Sequence, residues 1–154
     1  HQAPPREHEG VRSLIDGDRA QAAKVAVAVD GVIERSIKER ASTIIEGIHL
    51  FPSYHHGLAQ LAAVVVPVLL TIPSREALEQ HFIRRGQQAP SRGTARYIDN
   101  FERIWRLQDY LITEAERLAV PLVPNIHVDQ SVNQVMDVIT DALVRRFGQE
   151  SPSL

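Results

Sequence analysis

The chain has 154 residues, 44% of them hydrophobic, a formal net charge of −2 and no cysteine. This is the length of one domain with enough apolar content for a core. The near-neutral balance argues against general attraction to nucleic acid or a membrane surface, and the lack of cysteine excludes disulfides, thiolate metal sites and cysteine nucleophiles.

Residues 1–17, with Pro4, Pro5 and Gly10, read as a loose lead-in, and an opening at His1 rather than Met is what a piece of a longer chain would show. From Asp18 to Arg40, Ala22, Ala26, Val29, Ile33 and Ile37 recur at helical spacing, with Glu34, Arg35, Lys38 and Glu39 off the stripe. That pattern predicts an amphipathic helix. Ser42 to Leu50 is a short β-branched run ending in Glu-Gly-Ile-His and reads as a buried strand. Val64 to Ile72, rich in valine and without alternation, reads as a second one. The apolar run from Leu61 to Ile72 is too short to cross a bilayer and contains Pro67. With no secretory pattern at the start, a cytoplasmic location is the default.

Ser74 is the expected N-cap of a helix from Arg75 to about Arg85, followed by a polar loop from Gly86 to Gly93. A long helix is predicted from Ala95 to Ala119, with Tyr97, Phe101, Ile104, Gln108, Leu111, Ala115 and Leu118 on its inner stripe. Val120 to Pro124 reads as a third strand. Ser131 with Gln134 forms a capping-box pattern opening a last helix to about Phe147, and residues 148–154 are a polar tail. The order predicts a single α/β domain over 18–147, a three-layer sandwich with a mainly parallel sheet. In such sheets ligands lie beyond the carboxyl ends of the strands, where Glu46, Gly47, His49 and Asn125 fall.

Glu46, an acid at a strand end, can order Mg²⁺ through water or act as a base; equally, it can be satisfied by a helix N-terminus. His49 can contact a phosphate or hydrogen-bond locally. His55 and His56 invite a metal reading, but the sequence offers no third ligand at useful spacing. The strongest local signal is charge. From Arg84 to Arg106 there are six arginines (84, 85, 92, 96, 103 and 106) against two acids, Asp99 and Glu102. Phosphoryl transfer works by positioning phosphates and neutralising developing charge, and the arginine fork binds phosphate in bidentate fashion. A helix ending in Arg84 and Arg85, a glycine-containing loop with Arg92 and a helix beginning near Arg96 read as a lid over residues 84–96. Arg103 and Arg106 fit a solvated face.

Four segments together resemble the carboxy-terminal two thirds of the 2-phosphoglycerate kinase family. They are Ile44-Ile-Glu-Gly-Ile-His-Leu-Phe-Pro52, His81-Phe-Ile-Arg-Arg85, Arg96-Tyr-Ile-Asp-Asn-Phe-Glu-Arg-Ile-Trp-Arg-Leu-Gln-Asp-Tyr-Leu111 and Val120-Pro-Leu-Val-Pro-Asn125. That family consists of P-loop kinases that phosphorylate 2-phosphoglycerate with ATP and Mg²⁺ to give 2,3-bisphosphoglycerate. The resemblance covers about residues 20–147. It implies that the Glu46 region lines the active site and that the arginine segment is its lid; the site expected is Glu46, Arg92 and Arg96 in catalytic roles, Glu46 holding Mg²⁺ through water, and His49, Arg84, Arg85 and Asn100 binding a small phosphorylated acid.

The departure from the family is equally clear. A P-loop kinase needs Gly-x-x-x-x-Gly-Lys-Ser/Thr, and this sequence has no such motif and only two lysines, Lys24 and Lys38. The family's first strand, which lies between those expected here at 43–49 and 64–72, is missing with it. ATP and Mg²⁺ therefore rest on the resemblance alone, and nucleotide binding by this chain should be weak or absent. The sheet is expected either to show a gap, inviting self-association, or to close by pairing those two strands. The alternatives are a non-catalytic anion-binding or protein-interaction module, or a related kinase with a different acceptor.

Overall fold

A computed structural model describes residues 5–58, 61–88 and 100–148. They fall into two compact units, His1–Val65 and Val66–Leu154.

In the first unit, helix α1 runs from Pro5 to Glu39. It begins well before Asp18, so the lead-in expected over 1–17 is helical from Pro5 onward. The helix closes through Arg40, which takes a left-handed φ of 53° while Ala41 N donates to the Ser36 carbonyl at 2.9 Å. This closure usually falls to glycine, because a Cβ in that conformation crowds the backbone. The Ser36 hydroxyl donates to the Val32 carbonyl at 2.8 Å and lies 2.7 Å from the Thr43 hydroxyl, which ties the start of the next segment to the helix.

The strand expected over Ser42–Leu50 does not form. The segment is irregular and ends in a turn in which Leu50 N donates to the Gly47 carbonyl at 3.1 Å. Ile44 is 94% exposed. Composition can favour extension, but a strand also needs a neighbour for its N–H and C=O groups, and no described segment supplies one. A 3₁₀ turn over Pro52–Leu58 follows, and Val29, Phe51 and Pro52 are buried among the described residues of this unit.

In the second unit, β1 (Leu69–Thr71) and β2 (Leu122–Pro124) pair in parallel, with Leu69 opposite Leu122 and Thr71 opposite Pro124. Both strands are shorter than their apolar runs. Pro67 brings no N–H, and only three residues of each run are held in register. Helix α2 (Arg75–Gln88) starts as expected: the Ser74 hydroxyl accepts from Ala77 N at 3.1 Å. It continues through residues 86–88, three beyond the predicted end. Helix α3 (Phe101–Arg117) turns Leu111 and Ala115 into the core and packs on both strands. Its end uses Ala119 at φ 54°, with Val120 N donating to the Ala115 carbonyl at 2.8 Å.

Helix α4 (Val128–Phe147) packs on β2. It begins three residues before Ser131, so the predicted Ser131–Gln134 capping box is replaced. Ser131 is buried, with its hydroxyl 2.9 Å from the Pro124 carbonyl and 3.0 Å from that of His127, while Asp129 occupies the first turn and suits the helix dipole. Leu78 and Phe82 of α2 join Leu111, Ala115, Val120 and Val123 in the core, and Phe82 meets Phe101 edge to face at 6.3 Å. Arg75 pairs with Glu102 and lies over Trp105 and Phe101 at 5.3 and 5.8 Å, fastening the start of α2 to the start of α3. This is an α/β arrangement on a parallel sheet of two strands, four helices being described.

Candidate functional site

At the carboxyl ends of the two strands the chain gathers polar groups from several elements. Asn125 N donates to the Thr71 carbonyl at 2.7 Å, continuing the pairing one residue past β2. His81, on α2, is half-buried and hydrogen-bonds the Asn125 backbone. Burial first, and the charge of Arg84 second, hold the imidazole below the usual histidine range, and the Asn125 contact opposes them. His81 and Arg84 lie three apart on one helix, which places them on neighbouring positions of its surface.

Gln108 explains a polar residue on the inner stripe of α3. Its Nε2 donates to the Ile72 carbonyl at 3.0 Å, and its Oε1 accepts from Ile72 N at 2.8 Å. Leu69 and Thr71 direct their bonded backbone groups toward β2, so those of Ile72 point to the opposite edge. One side-chain amide there takes the place of a strand. Sequence reasoning gave no role to Gln108 or His81. The available signals were an amide on an otherwise apolar stripe and a histidine three residues before Arg84.

The first unit holds a separate feature. An open cavity of about 250 Å³ is lined by Arg19, Ala22, Ala23 and Ala26 of α1 and by His49, Phe51, Ser53 and Tyr54. Tyr54 is fixed by donating its hydroxyl to Asp30, and burial, then that carboxylate, push the phenol up to about 12. The Nδ1 of His49 is buried with no hydrogen-bond partner.

The predicted site residues are placed as follows. Glu46 is exposed in the irregular segment, and His49 is half-buried in the turn after it. A Cβ on Gly47 would meet only Leu50, at 4.0 Å, so no close approach demands glycine there. Arg84 is exposed on α2, the backbone of Arg85 is in the same helix, and Arg92 and Arg96 lie outside the described residues. Asn100 precedes α3 without a side-chain cap bond. Arg103 and Arg106 are exposed, as a solvated face requires. Among the described residues no group of three or more His, Asp or Glu stands together to hold a metal ion. No described helix is long and apolar enough to cross a membrane.

No protein-family model and no solved structure matches the chain. Curated relatives do. A 2-phosphoglycerate kinase of Methanocaldococcus jannaschii is 34% identical over 90% of this chain and 44% of its own length. That of Pyrococcus furiosus is 34% identical over 85% of this chain and 42% of its own, and that of Methanopyrus kandleri 31% over 92% and 43%. The chain is a relative of the 2-phosphoglycerate kinases and spans less than half of their length.

Proposed function

We propose that the chain is the acceptor and lid portion of an ATP-dependent small-molecule kinase that converts 2-phosphoglycerate to 2,3-bisphosphoglycerate in the cytoplasm. It is inactive without a P-loop segment outside this sequence. The observation that carries the reading is the similarity along 90% of the chain to a kinase of that name. The parallel pairing of β1 with β2 and the polar groups at their carboxyl ends support it, since that is where ligands of parallel α/β sheets lie.

In this reading residues 18–147 form one kinase-like domain, a three-layer sandwich completed by the family's first strand. Arg92 and Arg96 of the lid over 84–96 neutralise charge on the transferring phosphoryl group, and Glu46 faces the acceptor hydroxyl. His49, Arg84, Arg85 and Asn100 hold the phosphorylated acid. ATP and Mg²⁺ come with the segment outside this sequence.

Isothermal titration of the chain with 2-phosphoglycerate should show binding that Arg92→Ala and Arg96→Ala each weaken roughly tenfold, the scale of one charge-assisted contact. Unchanged affinity in both variants would remove the lid from the account.

A second reading, a non-catalytic anion-binding or protein-interaction module, draws on the lack of a P-loop lysine and on an apolar stripe exposed along α4 at Val128, Val132, Met136, Leu143 and Phe147. Self-association through the open edge of β1 belongs to it.

A further inference from the structure

The cavity beside α1 is built to leave room. Arg19, Ala22, Ala23 and Ala26 share one face of the helix, and three of the four are alanines, whose methyl groups cannot reach the segment from His49 to Tyr54. One turn further on, Val29 is buried, and Asp30 accepts from the hydroxyl of Tyr54, which fixes one of the lining rings. The polar groups among the lining residues include the Arg19 guanidinium, the Ser53 hydroxyl and the His49 imidazole, whose Nδ1 is buried without a hydrogen-bond partner. A buried nitrogen left unsatisfied is costly unless something bonds it. Asp30, four residues beyond Ala26 on the same helix, is engaged by Tyr54. Arg19 can keep other partners and still reach an anion, because a guanidinium carries several N–H donors.

We propose that this cavity binds the anionic group of a small acid, with Arg19 and His49 as its charged and hydrogen-bonding contacts and Ser53 at its mouth. The inference rests on the kinase reading and deepens it: Arg19 and Ser53 join His49 among the groups that hold the acceptor. A volume of about 250 Å³ suits a ligand the size of a phosphorylated three-carbon acid and falls below the usual range for larger cofactors. The geometry fits a phosphate or a carboxylate equally.

The test is NMR of the histidine side chains of the full chain, titrated separately with 2-phosphoglycerate, inorganic phosphate and glycerate, with His49→Gln to assign the signal. The expected result is that 2-phosphoglycerate shifts His49. Ala22→Leu, which fills the cavity with a good helix former, and Arg19→Gln should each weaken binding roughly tenfold or more while circular dichroism keeps the helix content. Competition by inorganic phosphate identifies the phosphate as the bound group, and competition by glycerate alone identifies the carboxylate. If 2-phosphoglycerate binds with the same affinity to both variants, the cavity is not the site, although the kinase reading stands. If it does not bind the unaltered chain at all, the cavity and the acceptor reading fall together.

Discussion

At the scale of single residues, the two histidines and one amide that matter most differ in how they are held. Gln108 makes two hydrogen bonds to the backbone of one residue, Ile72, in a half-buried setting. Gln108→Leu keeps the bulk and strands both backbone groups, so it should cost about 1–3 kcal/mol, read from chemical denaturation. No change would mean that water serves that edge as well. His81 makes a pH prediction. Its folded pKa lies below the unfolded value, so the unfolded chain takes up protons first as pH falls. The stability of the neutral form is therefore present above the unfolded histidine value of roughly 6.5 and is lost as pH falls from there toward the folded pKa. His81→Asn should flatten stability against pH across that window, and an unchanged slope would contradict the assignment. His49 was legible as a candidate from its place after Glu46-Gly47, whereas the cavity beside it depends on Arg19 and three alanines of α1 that no local pattern marks.

At the scale of elements, helices were legible where apolar spacing and capping agreed. Ser74 caps α2, and the inner stripe of α3 turns inward from Phe101 to Leu118. Ser131 misled because a serine followed by glutamine matches a capping box equally well when the serine is needed to bond the end of β2. The run around Thr43–Ile45 misled for another reason: it has strand composition and no partner. The same shortage shows at β1. Leu70 is 53% exposed although its register partner Val123 is 2% exposed, so the sheet is better covered at β2 than at β1, whose outer edge Gln108 closes only at Ile72. An open edge with an exposed leucine invites pairing with another chain, and a lysine there blunts it. Sedimentation velocity should show concentration-dependent association that Leu70→Lys reduces. A monomer at every concentration would remove self-association from the account.

At the scale of the molecule, the chain carries a parallel α/β arrangement and an arginine-rich stretch, and its sequence contains no P-loop motif. The chain spans under half the length of its relatives, and a sheet of two strands with an uncovered edge is what such a portion would leave. Relatedness was legible because the Glu46–His49 and Arg96–Leu111 motifs are local in sequence. The extent of the sheet was not, because strand pairing depends on segments that no local pattern contains. The central claim is that the acceptor side is present and the nucleotide side is not. Calorimetry of this chain with 2-phosphoglycerate and, separately, with ATP and Mg²⁺ tests it most directly. The account predicts heat of binding for 2-phosphoglycerate and none above dilution for ATP, and tight binding of ATP by this chain would contradict it.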